Sequence, residues 1–275
     1  MAQKKLPLEY RLKRVIKKIL GRPVREGNAL KVRHDDRFIV SYPKSGNTWM
    51  RFLVGNLLSN EPVNFFNVEY LVPDMYWNTD KHMHALPSPR YIKSHEPYDP
   101  RYNKVVYLIR DGRDVAVSYY YHLKRENRMD LEFSDYLKKF AAGKLDDFGT
   151  WGDNINSWMQ NVGEQSNRFL MIRYEDLIRD AQAELFKVCQ FLGLPKSIEQ
   201  IDLAVQDSSF EKMAEHEKRT GKENMFKNTN QKIKFIRSGK VGSWRDMFTE
   251  RDKDLFKSCF GFTLVALKYE ENQNW

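Results

Sequence analysis

From Arg37 to Trp49 the chain reads Arg-Phe-Ile-Val-Ser-Tyr-Pro-Lys-Ser-Gly-Asn-Thr-Trp: an apolar run, a small polar loop, then the opening of a helix. Phe38, Ile39 and Val40 have the character of a buried strand, and Met50, Leu53, Val54, Leu57 and Leu58 recur at helical spacing. A loop that opens a helix presents backbone N–H groups with no partner inside the helix, and the helix dipole adds about half a positive charge there. A phosphate or sulfate is therefore held by the main chain itself. Gly46 lets the backbone approach, Lys44 adds a mobile cation, and Ser45, Asn47 and Thr48 add short polar groups.

The same alternation recurs downstream. Tyr91-Ile92-Lys93 reads as a short strand ending at Ser94 and His95. Lys104 to Ile109 reads as a buried strand followed by Arg110-Asp-Gly-Arg-Asp114 and a helical run through Val115, Ala116, Ser118 and Tyr119. Phe169 to Ile172 gives a further strand, and Tyr174-Glu-Asp leads into an amphipathic helix with Leu177, Ala181, Leu185, Val188 and Leu192 on one face, ended by Gly193 and Pro195. Alternating strands and helices imply an α/β fold: a central parallel sheet flanked by helices, with ligands at the carboxyl ends of the strands. A chain of 275 residues with no linker-like stretch is expected to form one domain, residues 37–275, preceded by a basic segment over 1–36.

The loop is not the nucleotide-binding GxxxxGK[ST], because its lysine precedes its glycine. Tyr42-Pro-Lys-Ser-Gly-Asn-Thr-Trp49 instead resembles the 5′-phosphosulfate loop of the cytosolic-type sulfotransferases, with Asn47 where threonine is more usual. The resemblance implies that Lys44, Ser45, Gly46, Asn47 and Thr48 hold the donor 3′-phosphoadenosine 5′-phosphosulfate (PAPS), whose spent product is 3′-phosphoadenosine 5′-phosphate (PAP), and that Trp49 packs on the adenine. Val106 to Ser118 is similar to the family's 3′-phosphate segment, which assigns Arg110 and Ser118 to that phosphate. Arg173-Tyr174-Glu-Asp176 is similar to the segment whose tyrosine holds the nucleotide. Ser208-Ser-Phe210, with Met213, resembles the adenine-side element, and Arg237-Ser238-Gly239 resembles the Arg-Lys-Gly clamp with Ser238 in place of lysine.

Sulfuryl transfer to an alcohol requires a group to take the acceptor's proton. Ile92-Lys-Ser-His95 resembles the family's Lys-Thr-His element, which makes His95 the base and Lys93 its assistant. Imidazole is a weak base beside an alkoxide, so the proton leaves as the S–O bond forms. Lys44 is then expected beside the bridging oxygen, where charge develops only in the transition state. No acidic pair demands a metal, and His82 and His84 read as loop histidines without a third ligand.

The formal charge of +9 and pI near 9.3 fit an anionic ligand, a nucleic acid or an acidic membrane. Residues 1–20 are basic and amphipathic, able to dock on the domain or to lie on an anionic membrane. No run of about 18 apolar residues and no signal-peptide core is present, and Cys189 and Cys259 are the only cysteines, so a cytoplasmic protein with at most peripheral membrane contact is expected. Aromatics from Phe65 to Trp77 read as a wall for an alcohol, lipid or glycan-type acceptor. Residues 206–240 read largely as a mobile charged cover, Thr249 as a helix cap, and Tyr269–Trp275 as a frayed end. An ATP-dependent phosphotransferase would need the missing GxxxxGK[ST] loop, and a non-enzymatic basic module would leave the ordered loops and His95 without a purpose. The stretch matching the family's dimer motif, Arg245 to Asp254, has Glu250 where the motif has valine, which leaves the oligomeric state open.

Overall fold

Four short apolar runs make one sheet, and every pairing in it is parallel. β1 (Arg37–Ser41), β2 (Tyr91–Ser94), β3 (Val105–Ile109) and β4 (Phe169–Arg173) lie in the order β2-β1-β3-β4, with Val40 opposite both Ser94 and Tyr107 and Leu108 opposite Ile172. The computed structural model describes residues 30–161, 166–221, 229–237 and 239–275. The basic amphipathic segment 1–20 and Ser238 lie outside them, as does most of the proposed 1–36 unit.

Successive side chains of a strand point to opposite faces, so an unbroken apolar strand must be covered twice. Phe38, Val40, Val105, Tyr107 and Ile109 enter one core, and Ile39, Val106, Leu108 and Ile172 enter another. In chain order the helices are α1 (Asn47–Leu58), α2 (Val68–Leu71), α3 (Asp80–Ala85), α4 (Gly112–Arg125), α5 (Phe133–Ala141), α6 (Trp151–Asn161), α7 (Tyr174–Arg179), α8 (Ala181–Leu192), α9 (Ile198–Asp207), α10 (Phe210–Gly221) and α11 (Glu250–Ala266). Residues of α4, α5, α6 and α11 pack in the first core; α1, α8 and α9 supply Met50, Leu53, Leu185, Val188 and Ile201 to the second. Thr249 caps α11 as expected, accepting the Asp252 N–H in a reciprocal capping box.

Four sequence expectations are corrected. The amphipathic run from Leu177 to Leu192 is two helices, because the Asp180 side chain accepts the Ala183 N–H and starts a new one. The charged stretch after residue 206 contains α10, whose Met213 is buried against Phe52, Val63, Phe65 and Val68. The end of the chain is docked: Trp275 meets Trp244 edge-on at 5.7 Å between centroids, and Glu270 pairs with the buried Arg113. His82 and His84, expected in a loop, sit instead in α3, whose start Thr79 caps by accepting the His82 N–H; no cluster among the described residues could hold a metal.

Candidate functional site

Each strand delivers one candidate group at its carboxyl end: Lys44 after β1, His95 after β2, Arg110 after β3 and Tyr174 after β4. Lys44 holds a left-handed conformation at φ 70°, which an L-residue adopts only when its surroundings over-determine it. Gly46 follows at φ 97°, and a Cβ built there would lie 2.7 Å from the Tyr174 ring, so only glycine fits. Gly46 caps α1 with no side-chain hydrogen bond, leaving the helix opening to its backbone groups. Ser45 is buried with no partner for its Oγ. Asn47 turns its amide back to the sheet, donating to the Ile39 carbonyl and to Ser41 Oγ at 3.2 Å each. Thr48 and Trp49 complete the first turn, and Trp49 packs edge-on against Tyr174 at 6.0 Å.

Tyr174 is the platform of the site. The Arg110 guanidinium stacks on it at 4.3 Å and donates to the carbonyls of Lys240 at 3.0 Å and Lys44 at 3.4 Å. Arg110 thereby ties the first loop to the last one, and its buried Nε has no partner. Asp114, fully buried at the start of α4, accepts from the Gly242 N–H, the Ser243 hydroxyl and the Trp244 N–H. Gly239 sits at φ 62°, where an added Cβ would meet Phe210 at 3.3 Å and the Tyr174 hydroxyl at 3.9 Å. The half-exposed Phe210 thus borders the clamp. Ser208 and Met213 face inward instead: the Ser208 hydroxyl accepts from Asn56 at 3.0 Å, and Met213 lies in the core that Trp49 borders.

Lys44, Ser118, Tyr121, His122, Arg125, Lys234, Phe235 and Arg237 line one small cleft. Residues 193 positions apart in sequence, Lys44 and Arg237, therefore meet, since 237 − 44 = 193. The Lys44 ammonium lies 4.6 Å from the Phe235 centroid, and burial lowers its pKa to about 7. Arg237 stacks on Tyr121 at 4.6 Å. The leftover donors at the loop, Ser45 Oγ and Arg110 Nε, and the Gly46 cradle fit a polyanion seated between these cations.

His95 Nδ1 lies 2.7 Å from the Ser41 carbonyl oxygen. A carbonyl can only accept, so Nδ1 carries the hydrogen and Nε2 is the basic nitrogen. Lys93, two residues earlier, has its ammonium captured by Asp74, and burial lowers its pKa against the opposing pull of that carboxylate.

Sequence reasoning missed the groups that fix His95. The Tyr76 hydroxyl accepts the His95 N–H at 2.8 Å and donates to Glu96 Oε1 at 3.0 Å, and its ring stacks parallel to the imidazole. Burial raises the Glu96 carboxyl to about 7. Phe148 packs against both rings, 5.4 Å from the imidazole and 5.2 Å from Tyr76. Of the aromatic stretch expected to wall a pocket, Tyr76 alone is seen against His95; Phe65 and Met75 are core, while Phe66, Tyr70 and Trp77 are exposed. Tyr76 is one ring among several in an irregular stretch, with no spacing that singles it out.

The family model for the sulfotransferase domain matches residues 34–269. Among curated proteins, sulfotransferase 1E1 of Cavia porcellus is 32% identical over 80% of each chain. A 3-beta-hydroxysteroid sulfotransferase of the same species is 31% identical over 87% of this chain and 89% of its own. Among solved structures, mouse sulfotransferase SULT7A1 complexed with PAP matches with a TM-score of 0.69 at 24% identity, over 86% of both chains. A retinol dehydratase in complex with retinol and PAP matches with a TM-score of 0.70 at 22% identity, over 84% of this chain and 82% of its own. Phosphosulfate-type loop, parallel sheet and sequence likeness converge: the chain belongs to the sulfotransferase-domain family, enzymes whose sulfuryl donor is PAPS.

Proposed function

We propose that the protein transfers the sulfuryl group of PAPS to a hydroxyl of a small apolar acceptor, with His95 as general base. The observation that carries this reading is the meeting of Lys44, Ser118 and Arg237 in one cleft at the carboxyl edge of the strand that also ends near His95. The loop amides from Gly46 to Trp49 and the Lys44 ammonium hold the phosphosulfate end. Arg110, Ser118 and Arg237 hold the 3′-phosphate, and Tyr174, Trp49 and Phe210 flank the nucleoside.

The acceptor oxygen attacks sulfur in line as its proton passes to His95 Nε2, and the bond from sulfur to the bridging oxygen breaks. That electron pair stays on the departing PAP phosphate, where Lys44 meets it. Lys93, fixed by Asp74, adds positive potential from a set position. Tyr76 and Phe148 give the acceptor an apolar approach to His95, which suits an alcohol such as the hydroxysteroid in the name of the Cavia porcellus relative.

The test is transfer from radiolabelled PAPS across a panel of sterols, phenols and aliphatic alcohols, beside thermal shift with PAP and with ATP plus magnesium. PAP is expected to raise the melting temperature and ATP is not. A shift with ATP alone, or no labelled product from any hydroxyl, overturns the reading.

A further inference from the structure

One side chain of the cleft has no part in the chemistry above. His122 stands on α4 one turn beyond Ser118, between the rings of Tyr119 at 6.0 Å and Phe235 at 6.1 Å. Its Nε2 lies 3.2 Å from Glu126 Oε1. A carboxylate oxygen only accepts, so Nε2 carries the hydrogen and Nδ1 keeps its lone pair. Nδ1 is buried and has no hydrogen-bond partner. An orphaned buried acceptor is a group that a ligand is expected to satisfy.

The surroundings restrict what that ligand group can be. Burial first, and then the charges of Lys44, Arg125, Arg128 and Lys93, hold the imidazole's pKa down to about 2, so the ring stays neutral and Nδ1 stays an acceptor. The phosphate and sulfate oxygens of the donor are themselves acceptors and cannot pair with it. Lys44, the cation assigned to the breaking S–O bond, lines the same cleft as His122, which brings the imidazole near the reacting end.

We infer that His122 is a specificity residue for the acceptor: its Nδ1 receives a hydrogen bond from a second O–H or N–H of the substrate, beside the hydroxyl being sulfated. The preferred acceptors are thus diols or amino alcohols, not simple alcohols. The inference rests on the sulfotransfer reading and narrows its substrate class.

The experiment compares kcat/KM for phenol with that for catechol, resorcinol and hydroquinone, which set the second hydroxyl at three distances from the first. In the wild type the best diol is expected to exceed phenol by about tenfold, the discrimination one buried hydrogen bond supplies. In His122→Phe that ratio falls to near one. In His122→Asn, whose side-chain oxygen reaches the position of Nδ1, most of it returns. If phenylalanine is not accommodated, His122→Ala is read in its place. The PAP dissociation constant, measured by calorimetry, is expected to stay within about threefold across the set, which separates an acceptor contact from one to the donor's ribose hydroxyl or adenine amino group. A wild type that transfers sulfate but ignores the second hydroxyl overturns the inference alone, as does a His122→Phe variant whose loss lies in PAP binding. A wild type that neither binds PAP nor sulfates any hydroxyl ends the underlying reading, and the inference with it.

Discussion

The Ser41 carbonyl, the last residue of β1, lies 2.7 Å from Nδ1 of His95, the first residue beyond β2. Neighbouring parallel strands thus fix the tautomer of this imidazole, so that Nε2 is basic before any ligand binds. His95→Ala is expected to lower kcat by about 100- to 10,000-fold while leaving PAP affinity nearly unchanged. Single-turnover transfer of radiolabelled sulfate and PAP titration check the two halves. Wild-type turnover in the variant would remove the base assignment.

Lys44 titrates near 7 without donor because burial disfavours its charged form. An anionic nucleotide binds the charged form and raises that pKa. The sign follows: PAP affinity is steady below pH 7 and declines above it by up to about tenfold per pH unit, until the bound lysine itself loses its proton. Lys44→Met is expected to bind PAP more weakly and to lose this slope. Calorimetry from pH 6 to pH 9 reads both, and an unchanged slope in the variant would transfer the titration to another group.

Gly46→Ala introduces a methyl 2.7 Å from the Tyr174 ring at a φ of 97°. Tyr174 must shift, and it carries Arg110 on its face. A loss of about 1–3 kcal/mol in stability is expected from the strained backbone, with a larger loss in PAP affinity. Thermal melts with and without PAP separate the two. A variant that melts and binds as wild type does would show that the loop and Tyr174 part freely.

Tyr76 and Glu96 make a coupled prediction. Glu96 titrates near 7 in the fold against its ordinary 4.5, so stability falls as pH rises through that window. The ionised form costs about 3 kcal/mol above pH 7 on the scale of 1.36 kcal/mol per pH unit. Glu96→Gln is expected to flatten the melting profile between pH 5 and pH 8. Tyr76→Phe leaves both the His95 N–H and the carboxyl without that hydroxyl, and is expected to lower kcat about tenfold with little change in donor KM. A pure KM effect would place Tyr76 with the acceptor only.

The parts of the site that were legible in the sequence are the local ones. Lys44 to Trp49, Arg110 to Ser118 and Lys93 to His95 each lie within one strand-to-helix turn or one strand end, where spacing and geometry are nearly the same thing. The capture of Lys93 by Asp74 and the seating of His95 on Tyr76 were not legible, because they depend on how an irregular aromatic stretch folds back against β2. Asn47 shows the limit within a motif: its side chain serves β1, not the loop, since Ile39 and Ser41 offer acceptors in reach. The tail misled for another reason. Its polar residues suggest fraying, but Trp275 and Glu270 find a buried arginine that no pattern in their own segment announces.

That tail bears on the proposed donor clamp. The Arg113 guanidinium lies 4.1 Å from the Trp244 ring and 4.4 Å from the Trp275 ring, and it is ion-paired with Asp111 and Glu270. Trp244 is also the residue whose N–H is held by Asp114, one turn after Arg110. The last residues therefore press the loop carrying Gly239 onto the start of α4. Trp275→Ala removes one aromatic face from a desolvated cation, worth about 1–2 kcal/mol. A strap of this kind acts on the position of the clamp and not on the chemistry, so the PAP dissociation constant is expected to rise severalfold while kcat at saturating donor is kept within about twofold. Calorimetry and steady-state kinetics on the same preparation decide it: a fall in kcat with unchanged PAP affinity would show that the tail serves the catalytic edge directly.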